Sequence, residues 1–173
     1  MSQHTTLAPH RVSDPVLGTQ DLLHHWQQHR ALTRRVIEAF PEKEFFEFSI
    51  GGMRSFAKLC FEMMGIAAPG VVGLATGKWT TDEFPDFFVP DNEPTTKAEV
   101  LEYWDRITVH IDKWLPQVSA ERFRETDVAF GQYEGTIYWT LLYFMDNDVH
   151  HRAQGYVYLR ALGIEPPPFW DRQ

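Results

Sequence analysis

Apolar residues recur at spacings of three and four over four long segments of this chain, each bounded by proline or glycine, and this period predicts four amphipathic helices. The first runs from about Gln20 to Phe40, with Leu22, Trp26, Thr33, Ile37 and Phe40 on one stripe and Pro41 behind it. The second follows the Gly51-Gly52 break from about Arg54 to Ala75, and Pro69-Gly70 is expected to kink or divide it. The third opens on Thr96-Lys97-Ala98-Glu99, the form of a capping box, and carries Val100, Tyr103, Ile107, Ile111 and Trp114 to Pro116. The fourth runs from about Thr136 to Gly163 and stops at Pro166-Pro167-Pro168. These segments predict a single all-α domain over residues 1–173, a four-helix bundle preceded by an extension of about residues 1–18.

The fourth helix breaks the usual pattern. Ile137, Leu141, Phe144, Gly155, Tyr158 and Leu162 form its apolar stripe, yet Asp148 and His151 lie on the stripe and Asn147 lies beside it, four residues before His151. Polar side chains turned toward packing partners must be satisfied by hydrogen bonds, ion pairing or a metal, since each unpaired buried group costs about 1–3 kcal/mol. The candidate site is therefore inside the bundle. The second helix holds a matching oddity: Glu62 is the only charged residue from Leu59 to Gly77. A surface pair with Lys58 is the bland account, but with Lys N-terminal to Glu such a pair contributes at most about 0.3 kcal/mol.

The connections differ in length. Thr76 to Thr95, with Phe84-Pro85-Asp86-Phe87-Phe88-Val89-Pro90 in it, is far longer than antiparallel neighbours need, so it is expected to cross the bundle or cover a cleft. Ser119 to Gly135 is polar apart from Val128-Ala129-Phe130, which forms a strand or packs on the bundle end.

Composition narrows the function classes. A net charge of −8 and no dense Lys/Arg cluster disfavour nucleic acid. The single cysteine, Cys60, cannot form an internal disulfide, and the chain has neither a signal-type N-terminus nor a run of roughly 18 uncharged apolar residues, so the expectation is a cytoplasmic protein outside the membrane. No serine sits in a nucleophile elbow and no glycine-rich loop cradles phosphate. His150 points about a hundred degrees from His151 and is read as facing solvent or an interface. His110 reads as a core or boundary histidine, and Arg152 and Arg160 as partners of acidic residues on neighbouring helices.

Arg54-Ser55-Phe56-Ala57-Lys58-Leu59, Gly77-Lys78-Trp79 and His150-His151-Arg152-Ala153-Gln154 running into Tyr158-Leu159-Arg160-Ala161-Leu162-Gly163 resemble the DinB/YfiT-like family of four-helix metalloenzymes. The resemblance extends from about Gln20 to Pro168. It implies an up-up-down-down bundle with a long crossover between the second and third helices, frequent homodimers, and a divalent metal held by three histidines. By position those histidines fall on Glu62, Asn147 and His151, and only the last is a histidine here. Oxygen donors in place of two imidazoles lower affinity for Zn or Ni and favour harder ions such as Mn or Fe, or no ion.

Three readings stay open. Glu62, Asn147 and His151, with Asp148 nearby, hold a metal weakly, with Glu62 and His151 as the catalytic pair of a thiol transferase or hydrolase acting on a small molecule or thiol. Alternatively Glu62 and His151 pair without metal, in a small-molecule-binding or stress-associated dimer without catalysis. In the third, the site has moved to His25 and His29, which also stand four apart but need a third ligand. A two-fold homodimer is expected, its apolar interface drawing on Trp26, Tyr103 and Trp104 of the first and third helices.

Overall fold

The structure, a computed structural model, describes residues 17–172, so nearly all of the expected N-terminal extension lies outside the described residues. They form five α-helices: α1 Thr19–Ala39, α2 Glu42–Glu47, α3 Phe56–Thr76, α4 Lys97–Trp114 and α5 Ile137–Ala161. A hairpin of β1 Thr126–Ala129 and β2 Tyr133–Thr136 precedes α5, with Thr126 opposite Thr136 and Ala129 opposite Tyr133. The protein is all-α in class, and α1, α3, α4 and α5 are the four expected helices.

Local chemistry sets their ends. Thr96 accepts from the Glu99 N–H while the Glu99 carboxylate accepts from the Thr96 N–H, so the capping box forms as expected. Thr136 caps α5 by accepting from the Trp139 N–H. Gly77 ends α3 in the left-handed region, at φ 78°. Of the kink or division expected at Pro69-Gly70, division does not occur, for α3 runs unbroken through both. Pro69 deprives one carbonyl of its donor, but packing compensates: a Cβ on Gly70 would lie 2.6 Å from the Phe144 ring, so α3 and α5 close tightly here.

Pairs across the bundle fix helix direction. On α1 and α4, Gln27 meets Asp112 and Arg34 meets Asp105, an antiparallel order. On α1 and α5, Trp26 meets Asp148 and His29 meets Arg152, a parallel order. On α3 and α5, Phe56 packs on Gly155 and Phe144 on Gly70, again antiparallel. The helices therefore run up-down-down-up, where up-up-down-down was expected. An aromatic junction explains the difference: Phe40 at the end of α1 stacks on Phe56 at the start of α3, with ring centroids 4.8 Å apart, and Phe45 of α2 packs edge-on against both. The short helix α2, not anticipated from the sequence, delivers Phe45 to this junction, which makes α3 turn back. Since α3 and α4 run in the same direction, the connection between them must return the length of a 21-residue helix, about 30 Å. This is the long crossover that the spacing predicted.

By length and composition α3 is apolar enough to cross a membrane, with a mean hydropathy of 1.6, but 72% of that window is buried within the bundle, as befits its core helix. Trp26 and Trp104 are both completely buried, which corrects the expected dimer interface. Their amphipathic stripes face partners within the chain. The exposed large rings of the described residues include Phe88, Tyr133, Trp139 and Tyr143, on the crossover, the hairpin and the start of α5.

Candidate functional site

The polar stripe of α5 turns inward as its spacing demands, and Asn147, Asp148 and His151 are all buried. Across from them on α3 stands Glu62. Its Oε1 accepts from the Asn147 amide Nδ2 at 3.1 Å and lies 2.9 Å from His151 Nε2. The second oxygen, Oε2, is 2.5 Å from the Arg54 guanidinium. Arg54 lies two residues before α3, and its carbonyl accepts from the Tyr158 hydroxyl of α5 at 2.8 Å, which holds its backbone while the side chain runs back along the helix. Tyr158 belongs to the stripe, so one face of α5 both anchors Arg54 and supplies the partners of Glu62.

The structure thus brings together all three residues singled out from the sequence and adds a fourth, Arg54. Nothing in the periodicity marked Arg54, since a lone arginine at a helix start reads as solvated charge and only the tertiary fold brings it to Glu62. Lys58 pairs with Glu93 of the crossover, not with Glu62. Burial alone would raise the Glu62 pKa, but hydrogen bonds from His151, Arg54 and Asn147 outweigh it and hold the carboxyl at about 2. A carboxyl depressed in the folded state stabilises above its unfolded value, and that stability is lost as pH falls toward the folded value. Stability should therefore fall between about pH 4.5 and about pH 2, and Glu62→Gln should flatten that part of the profile. Urea unfolding of both proteins across this range is the check; parallel profiles would mean that Glu62 is not so held.

Asp148 belongs to a separate, structural cluster. Its Oδ2 accepts from Trp26 Nε1 at 2.8 Å and lies 3.8 Å from Arg30 Nη1, at the centre of the bundle. Arg30, completely buried, also donates to Thr108 Oγ1 and to the Trp104 carbonyl and stacks 3.8 Å over the Trp104 ring. Cys60 is buried and its thiol pKa is pushed up by that burial, in keeping with an inert core role.

Among the described residues no third His, Cys, Asp or Glu joins His25 and His29 to supply the further ligand a metal would need. Their Nε2 atoms are 3.1 Å apart, while His29 Nδ1 faces the Arg152 guanidinium at 3.0 Å. Burial first, then the charge of Arg152, holds the His29 imidazole down at about 3. Arg152 therefore pairs with His29 and its carbonyl, where an acidic partner was expected. Arg160 lies over the Tyr156 ring. As expected, His110 is a core histidine, its Nε2 3.2 Å from the Ala68 carbonyl oxygen, and His150 is exposed.

Next to Glu62 opens a cavity of about 650 Å³ between α3 and α5. One wall is a ladder of rings from three segments: Trp79 to Phe130 at 5.5 Å, Phe130 to Phe144 at 6.1 Å, Phe144 to Tyr143 at 6.5 Å, and Tyr143 stacked on Trp139 at 6.0 Å. The crossover adds Phe84 and Phe88. Phe130 takes the left-handed conformation at φ 55°, which costs a bulky residue about 1–2 kcal/mol, and its packing between Trp79 and Phe144 keeps it there. Of the two outcomes expected for Val128-Ala129-Phe130, the strand forms at Val128 and Ala129, and its turn carries the Phe130 ring into the cavity wall.

The structure is thus a bundle of four long helices, with a polar cluster joining the second to the last under a long aromatic crossover. The chain belongs to the DinB family, whose model matches residues 1–172. In structure it is similar to a DinB-like protein of Bacillus cereus, with a TM-score of 0.70 at 15% identity over 86% of this chain and 95% of that one. A DinB-like protein of Bacillus subtilis gives a TM-score of 0.60 at 18% identity over 86% and 96%. No curated protein matches the chain in sequence.

The metal implied by the resemblance fits these residues poorly. A divalent ion at Glu62 would share the carboxylate with the Arg54 guanidinium, and like charges at that distance repel. The Asn147 amide turns its N–H, a donor, toward Glu62. Among the described residues no group of three or more His, Cys, Asp or Glu side chains gathers to hold an ion.

Proposed function

We propose that this DinB-family protein is a metal-independent small-molecule-binding bundle, in which the family's metal position has become one polar end of an aromatic cavity. The observation that carries this reading is the Arg54 guanidinium, 2.5 Å from Glu62, in the role of the cation that a metal would otherwise play. With its pKa held near 2, Glu62 is a weak base at neutral pH, and its carboxylate already engages three donors. That favours binding over proton transfer, and hence over the metal-dependent thiol transferase or hydrolase. A cavity of about 650 Å³ is of the size that takes drug-sized molecules.

Calorimetric titration of tag-free protein with zinc and nickel is the test. The unmodified protein should show no tight site, and the double change Glu62→His with Asn147→His should create one by restoring borderline nitrogen donors. Stoichiometric tight binding in the unmodified protein, lost on His151→Ala, would overturn the reading.

A further inference from the structure

We propose that the cavity's ligand is an organic cation: an ammonium or guanidinium bearing N–H groups, carried on an apolar or aromatic body. This rests on the binding role proposed above and names its ligand class. Among the described residues, the charged side chains lining the cavity are both carboxylates, Glu62 and Asp86, in a chain of net charge −8. The walls are rich in aromatic rings, and the negative quadrupole of a ring face attracts cations and repels anions. One of those rings already carries a cation, for Arg106 lies 5.2 Å over the Phe84 ring.

A second observation is independent of charge. Asn147, bonded to Glu62 and set behind it from the cavity, is more than nine-tenths buried, and among the described residues its Oδ1 has no hydrogen-bond partner. An orphaned buried acceptor beside a carboxylate calls for a donor, and an ammonium supplies up to three with a positive charge. The protein displays the same chemistry in Arg54, whose half-exposed guanidinium occupies Glu62 Oε2. Arg54 is then a competitor from the chain itself, and a ligand cation would share or take its place on the carboxylate.

Benzylammonium, ethylbenzene and benzoate serve as probes of matched size: a cation, its neutral carbon isostere and an anion. Trp79 and Trp139 both line the cavity, so tryptophan fluorescence reports occupancy, with calorimetry as the second readout. Benzylammonium should bind at least about tenfold tighter than ethylbenzene, as a desolvated cation over aromatic faces predicts, and benzoate should not bind. Glu62→Gln should remove most of that preference, whereas Arg54→Ala should strengthen benzylammonium binding, with circular dichroism confirming that both variants fold. If ethylbenzene or benzoate binds as well as benzylammonium, the cation inference fails while the binding role stands. If none of the three binds, both fall.

Discussion

Replacing Asp148 with alanine should cost about 3–5 kcal/mol, because it leaves Arg30 charged and unpaired at the centre of the bundle. Arg30 is completely buried; burial lowers its pKa to about 10, so it remains protonated near neutral pH. Among the described residues its Nη1 has no hydrogen-bond partner and lies 3.8 Å from the Asp148 carboxylate, while Asp148 also accepts the Trp26 indole N–H. The alanine variant therefore strands both a charge and an indole donor. Thermal unfolding should show a midpoint lower by about 10 °C in a chain of this size. Asp148→Asn keeps an acceptor for Trp26 and separates the two effects. Combined with Arg30→Met, it should cost less than the sum of the two single changes, because the stranded charge is gone. Additive costs, or a loss below about 1 kcal/mol for Asp148→Ala, would show that the pair does not work as a unit.

Phe144→Ala should have an effect of similar size, about 3–5 kcal/mol, by a different mechanism. The ring is almost completely buried, seated against Gly70 where no Cβ fits, and it lies within 6.5 Å of Trp26, Phe130 and Tyr143. Truncation leaves a void that α3 and α5 cannot close without moving the Phe130 turn. Phe144→Leu refills part of that space and should cost roughly half as much. Denaturant unfolding measures both. Because Phe144 also lines the cavity, the alanine variant should lose affinity for benzylammonium as well as stability. A fully stable variant would mean that the ring is not part of the core.

Much of this was legible in the chain because periodicity speaks directly to burial. Asp148 and His151 fall in phase with Ile137, Leu141 and Phe144, so their burial follows from spacing alone, and every one of these positions is buried. The capping box at Thr96 and the length of the crossover were likewise local signals. What spacing cannot give is the identity of the partner. Trp26 and Trp104 sit on amphipathic helices, and the same stripe serves a neighbour in the chain or a second copy equally well; here the neighbour within the chain takes both. Arg54 carries no periodic signal, and its place beside Glu62 is set by the tertiary fold, in which Tyr158 of α5 donates to its carbonyl. The aromatic cavity was hidden for a related reason: its rings come from the crossover, the hairpin and α5, and no single window contains the ladder. Helix direction turned on Phe45 of α2, a helix too short to announce itself by period.

The up-down-down-up order has a kinetic side. α1 packs chiefly on α4 and α5, the last two helices of the chain to be made, and its pairs span 71 to 123 residues. Helix pairs of that separation close large loops before any contact rewards them, which places this bundle among the slower folders of its class. In synthesis α1 precedes the helices that carry its partners, Asp105 of α4 for Arg34 and Asp148 of α5 for Trp26. The Phe40–Phe56 stack joins residues only sixteen apart, so together with Phe45 it forms an aromatic contact available early. It holds the end of α1 in position for the rest of the chain to assemble around it.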